Sequence, residues 1–267
     1  MPKLPQIDQR YYQLAFLLFL FTYAKFYLDL PHMTYWYILS VVTSIQIFQY
    51  YFSYIFKLNF DWRSSLISSI AITILLATNS FQAAIFCTFF TVASQFLIRA
   101  NNKHIFNPNN FAIVLTIFMF PEVAKIAPYQ WGGDSSFLAV FVILAGLMVS
   151  SSVKSYDMAL YFLGLYSASM YIFSFAGLYS GDLWLHLVSI PITLFSFFMI
   201  TDPKVIPNST EGRFLFAVLV VVVTNIIYVF TTLSPAFIFA LPIVSLVTPF
   251  IDTHFGGKNF NWYKPAV

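Results

Sequence analysis

Residues 213–233 read RFLFAVLVVVVTNIIYVFTTL. After Arg213 come twenty residues without a charge, and an α-helix of that length crosses roughly the 30 Å hydrocarbon layer of a bilayer. Working outward in both directions, nine more apolar runs follow the same pattern: 11–29, 35–56, 64–79, 82–98, 109–121, 137–153, 157–176, 184–200 and 235–251. They are continuously apolar instead of polar at every second position, which excludes a membrane β-barrel. The expected fold is therefore all-α, a polytopic membrane helical bundle of about ten transmembrane helices forming one integral membrane domain over residues 1–267. The fifth run is short, as for a tilted or partly re-entrant segment.

Composition agrees. Apolar residues make up 60% of the 267 and charged residues 9%, whereas a soluble domain needs about a quarter of its residues charged to cover its surface. A water-soluble globule, a disordered chain and a nucleic-acid-binding protein are excluded together. Cys87 is the only cysteine and there are four scattered histidines, so neither a disulfide framework nor a dense metal site is expected. The chain has no Gly-rich phosphate loop, no HExxH and no nucleophile elbow, and no catalytic residue is assigned. The first run is too long and too aromatic for a removable leader and is expected to remain in the mature protein.

Orientation follows from Lys and Arg, which concentrate in cytoplasmic loops. With the N-terminus inside, Lys3, Arg10, Lys57, Arg63, Arg99, Lys103, Lys154, Lys204, Arg213, Lys258 and Lys264 fall on the inner side, and only Lys25 and Lys125 on the outer. Both termini are expected to be cytoplasmic.

Polar groups are costly in hydrocarbon, so the informative residues are the polar turns between runs. Two stand out, KHIFNPNN at 103–110 and FMITDPKVIP at 198–207. Asn107-Pro108 and Asp202-Pro203 suit helix starts, with Asn or Asp as cap and Pro in the first turn. The two turns also lie on the same expected side, each between an aromatic residue and an apolar helix, as two arms of a binding site would. Both readings stay open on local sequence. Asn208 and Glu211 resemble a capping pair for the next helix. Gln46, Gln49, Gln95 and Asn225 lie within apolar runs and suit hydrogen bonding between helices. Asp182 and His186 form an interfacial polar pair, Asp157 suits a helix N-terminus, and Cys87 suits a small apolar filler.

The HIFNP turn at 104–108, the FFMITDPKVIP stretch at 197–207 and Gly212-Arg213 opening the next helix resemble one family. These are the membrane subunits NqrB of the sodium-pumping NADH:quinone reductase and RnfD of the Rnf electron-transport complex. The resemblance extends from about residue 60 to the end. It implies two pseudo-symmetric, inverted halves, approximately 1–130 and 131–267, and a fold similar to urea transporters. It further implies a multi-pass protein of the bacterial inner membrane, acting with other membrane or cytoplasmic subunits that supply or accept electrons. Family members bind flavin, and the best-known ones carry FMN on a threonine in a Ser-Gly-Ala-Thr motif. This sequence has no such motif, so the cofactor implied is a non-covalent flavin (FMN or riboflavin) or a quinone. Its expected site is Phe106, Asn107, Pro108, Phe198, Thr201, Asp202 and Pro203, with Asn107 and Asp202 orienting polar atoms and Phe106 and Phe198 enclosing the ring. Arg99, Lys103 and Arg213 are candidates for holding a phosphate or an acidic partner. Two other functions suit the same fold, a channel or carrier for a small neutral solute and a non-redox scaffold subunit.

Overall fold

A computed structural model describes residues 8, 10–101, 103–127 and 136–257. Lys3, Lys258 and Lys264 of the charge pattern lie outside these residues, as does the expected boundary between halves near residue 130. The chain is a helical bundle: α1 (Arg10–Thr22), α2 (Tyr35–Ile55), α3 (Trp62–Leu75), α4 (Phe81–Leu97), α5 (Pro108–Met119), α6 (Ser136–Ser152), α7 (Tyr156–Phe175), α8 (Leu183–Leu187), α9 (Ile190–Leu194), α10 (Thr210–Phe230), α11 (Ala236–Ser245) and α12 (Thr248–Phe255). Two π-helical turns, Tyr23–Tyr27 and Phe195–Met199, extend α1 and α9.

Each apolar run contains helix, but the runs do not give ten full-length spans. Among the described residues α2, α7 and α10 are long and apolar enough to cross a membrane, and a fourth span results if α11 and α12, bent by 55°, are taken together. The reason is visible at α3 and α5. Their 14 and 12 residues reach only about 21 Å and 18 Å, short of a bilayer. Beyond α3 the chain becomes extended as β1 (Leu76–Thr78), and beyond α5 it does so as β4 (Ala124–Ile126); the two pair antiparallel, with Leu76 opposite Ile126. Each strand satisfies the other's backbone, and the Tyr37 hydroxyl donates to the Leu76 carbonyl at 2.7 Å, so non-helical backbone is tolerated where neighbouring protein supplies its hydrogen bonds.

The last run breaks at Leu246–Val247, where Pro249 in the first turn of α12 has no N–H for the carbonyl of Ser245, and a second proline acts earlier, within α11. Pro242 lies inside α11 and has no N–H to offer the carbonyl of Ile238, one turn back. That carbonyl instead accepts a hydrogen bond from Asn110 Nδ2 at 2.9 Å, which ties α5 to α11. Of the amides expected to join helices, Gln46 accepts from Ser65 Oγ at 2.8 Å and Asn225 Oδ1 accepts from Ser169 Oγ at 3.5 Å. Cys87 is fully buried among apolar side chains, as a filler would be.

Ion pairs collect at one end of the bundle. Arg10 pairs with Asp61, Lys103 with Asp252 at 2.8 Å, and Arg213 with Asp157 at 2.9 Å. A short hairpin of β2 (Arg99–Ala100) and β3 (Lys103–His104) lies at this end, while Lys125 sits in the β1–β4 pair at the other. The large core joins α2, α4, α5, α7, α10 and α11. A smaller one, containing Leu17, Leu20, Ile67, Ile74, Val142 and Leu194, joins α1, α3, α6 and α9.

Candidate functional site

The smaller core encloses a cavity of about 180 Å³. One face of α3 lines it at a spacing of three and four residues, with Ser64, Ile67, Ser68, Ala71 and Ile74, and α1 contributes Arg10, Gln13, Leu17 and Leu20. Val149 and Ser150 of α6 and Leu194, Phe197, Phe198 and Met199 of the broken eighth run complete the wall. The lining therefore draws on residues before 110 and after 148 alike. At the charged end of the bundle the cavity becomes polar, with Gln95, His104, Asn107, Asn109, Asp202 and Lys204.

Both polar turns reach this end. Asn107 caps α5, its Oδ1 accepting from the Asn110 N–H at 3.1 Å, and Pro108 takes the first helical position. The cap is not its whole role, because Asn107 Nδ2 donates to the Met199 carbonyl at 3.2 Å and so bridges the first turn to the second. A π-helical turn with Ile200 N donating to Phe195 O at 3.0 Å precedes Thr201, whose hydroxyl donates to the Phe197 carbonyl at 2.6 Å. Asp202 opens a tight turn: its carbonyl accepts from Val205 N and Ile206 N, and its Oδ1 from Lys204 N at 3.0 Å. No helix begins there, so Asp202-Pro203 is a turn and not a helix cap.

Burial governs the electrostatics. It raises the Asp202 carboxyl above the ordinary range, against the lowering effect of the Lys204 N–H and of the Lys204 and Lys103 charges. It lowers Lys204, with Asp202 opposing. It also pushes His104 down to about 4, helped by the charges of Lys204 and Arg99. All three groups lean toward their neutral forms, and the His104 Nδ1 and Asn109 Oδ1 atoms are buried without a hydrogen-bond partner.

Of the residues expected at the site, Asn107, Pro108, Phe198, Thr201, Asp202 and Pro203 border the cavity. Phe106 does not: it stacks on Phe111 with centroids 4.5 Å apart, facing the packed side of its turn. Phe198 is stacked on Phe16 at 4.4 Å and 5°, so one ring face is already covered. Lys103 and Arg213, the candidates for holding a phosphate or an acidic partner, are engaged within the bundle. Lys103 Nζ binds Asp252, Asn208 Oδ1 and the Ile206 carbonyl, while Arg213 binds Asp157 and the Pro207 and Lys154 carbonyls. Ser209, not Asn208, caps α10, accepting from Gly212 N at 3.1 Å; Asn208 N donates to Asp252 at 2.8 Å. Gly212 has no room for a side chain, since a Cβ would lie 2.9 Å from Ile251 of α12. The α1 and α3 wall had no sequence signal beyond the paired serines of WRSSLISSI, and Gln95 read only as interhelical glue.

Comparison with known proteins covers the second turn. Residues 126–261, just over half the chain, match the NQR2, RnfD, RnfE family. The chain belongs to that family. A similar protein is the D subunit of the ion-translocating oxidoreductase complex of Shewanella sediminis (strain HAW-EB3), 39% identical over 74 residues, which are 28% of this chain and 21% of that relative. The chain thus aligns with about a fifth of the length of this curated relative. The NQR2, RnfD, RnfE match begins later than residue 60, so it contains the Asp202 turn but not the Asn107 turn, which only the tertiary structure brings to the same cavity.

Proposed function

We propose that this member of the NQR2, RnfD, RnfE family is a membrane-embedded electron-transfer subunit whose cavity holds the flat head of a non-covalent flavin or a quinone. The observation that carries this reading is the cavity into which both turns open, held together by the Asn107–Met199 hydrogen bond. Its residues fit such a group. Hydrocarbon from α1, α3, α6 and α9 gives a dry wall, to which Phe198 adds an aromatic ring. The unpartnered His104 Nδ1 and Asn109 Oδ1, with the Asp202 carboxyl, give a polar end for ring oxygens and nitrogens. With Lys103 and Arg213 engaged elsewhere, a ring fits better than a phosphate.

Bound there, the flavin or quinone supplies the electron chemistry. Burial shifts the Asp202 carboxyl toward its protonated form, and neutral His104 presents Nδ1 at the same polar end. Asn107 has both ends of its amide in use, one for the α5 cap and one for Met199, so it positions the two turns. The gathering of cations at this end supports a cytoplasmic location for it, with a partner subunit as electron source.

The test is purification in mild detergent followed by absorption spectroscopy and organic extraction. A reducible yellow chromophore released by acid, or a co-extracted quinone, is expected, and Asp202→Ala should lose it while retaining the fold. A protein that stays colourless and quinone-free after incubation with riboflavin, FMN and quinone refutes the reading and leaves a non-redox role on the same fold.

A further inference from the structure

At its polar end the cavity meets a seam between α1 and α3 that is closed by charge. Arg10 donates from Nε to Asp8 at 3.0 and 3.1 Å, pairs through Nη2 with Asp8 at 2.5 Å, and pairs through Nη1 with Asp61. Arg63 approaches Asp8 at 3.5 Å and Asp61 at 3.7 Å. Each arginine therefore contacts both aspartates, and the ring is neutral overall. Ser64 Oγ donates to Asp61 at 3.0 Å and accepts from Arg10 at 3.5 Å. Arg10 and Ser64 both border the cavity, and the charges of Arg10 and Asp61 act on Lys204 at the same end. Deeper in, the same two helices are joined by hydrocarbon, Leu17 and Leu20 against Ile67 and Ile74.

The two kinds of closure differ in how they open. Separating apolar side chains exposes hydrocarbon in proportion to area, whereas a partly exposed ion-pair ring exchanges its contacts for water and is screened by salt. Phe198 of the cavity wall stacks on Phe16 at 4.4 Å, and Phe16 stacks in turn near Phe141 at 5.9 Å.

We propose that Asp8, Arg10, Asp61 and Arg63 form an ionic latch over the polar mouth of the cavity, and that parting α1 from α3 at this ring admits a polar ligand from the aqueous side. The proposal concerns access alone and holds whether or not the ligand is a flavin or a quinone.

A cysteine inside the cavity reports the latch directly. Ser68→Cys is placed in a Cys87→Ala background, in lipid nanodiscs, and its reaction rate with a charged, membrane-impermeant maleimide is measured. Asp61→Asn removes the charge while keeping a side chain able to cap α3, and should raise the rate about tenfold or more. The exchange of Arg10→Asp with Asp61→Arg should restore the slow rate. Raising salt to about 0.5 M should accelerate labelling of the parent, which keeps the test open if a variant fails to fold. Equal rates in the parent and Asp61→Asn, together with no salt effect, overturn the proposal. So does an acceleration that the charge exchange leaves in place, or a parent labelled as fast by the charged reagent as by an uncharged, lipid-soluble one.

Discussion

Replacing Asn110 by leucine probes the hydrogen bond that Pro242 makes necessary. In the wild-type protein the Ile238 carbonyl lies in a buried α5–α11 contact and accepts from Asn110 Nδ2 at 2.9 Å, because position 242 has no N–H. Leucine keeps the branched shape of asparagine and cannot donate, so the carbonyl is left without a partner in a dry site. An orphaned buried acceptor costs about 1–3 kcal/mol, and interhelical bonds in membranes fall at the low end, so a loss of about 1–2 kcal/mol is expected. The specific signature is a coupling. In a Pro242→Ala background the backbone N–H gained at position 242 supplies the missing donor, and the same Asn110→Leu change should cost less by about 1 kcal/mol or more. Four proteins, the parent, two single variants and the double variant, are compared by thermal unfolding in one detergent. If Asn110→Leu costs as much in the Pro242→Ala background as in the parent, the amide does not stand in for the missing backbone donor and the account of the α5–α11 tie is wrong.

Other consequences concern the site. Gly146→Ala would place a Cβ 2.4 Å from Phe197 Cβ at the back of the cavity wall, so a stability loss of about 1–3 kcal/mol and weaker retention of any bound chromophore are expected; unchanged values would show the wall to be soft. His104 has a folded value near 4 against an ordinary 6.5, so its contribution is complete above pH 6.5 and is lost as pH falls toward 4. The ceiling for that loss is about 3 kcal/mol, and His104→Gln should flatten the unfolding midpoint across this window by comparison with wild type. Asp202 has the opposite sign, since its raised value makes the folded state lose stability as pH rises from 3.8 upward. Asp202→Asn should then be no less stable than wild type at pH 7, and a clear destabilisation there would contradict the burial argument. Lys103→Met strands Asp252 beside Asn208 and should cost about 3–5 kcal/mol, of which a second change, Asp252→Asn, should recover a large part in the same thermal assay.

Much of the fold was legible in the amino-acid sequence because it depends on local composition. Continuous apolar runs specify helices in lipid, Asn107 followed by Pro108 specifies a helix start, and the positions of Lys and Arg specify which ends gather charge. The family also read correctly, and the matched region contains the Asp202 turn and the Gly212-Arg213 pair. What local composition could not specify was how far each helix continues and where its neighbours lie. α3 and α5 stop early because β1 and β4, 48 residues apart at Leu76 and Ala124, find each other, and α11 is tied to α5 where Asn110 is near enough to serve the carbonyl that Pro242 leaves open. Phe106 turns away from the cavity because Phe111 is its stacking partner, and Lys103, Asn208 and Arg213 are occupied by partners from distant helices. The cavity itself belongs to the same class of fact. Asn107 and Met199 are 92 residues apart, and only packing of α1, α3, α6 and α9 brings their two turns to one polar end. A single chain position states what a residue can donate, accept or bury; its partner is fixed by which surfaces meet, and that is decided by the packing of the whole bundle.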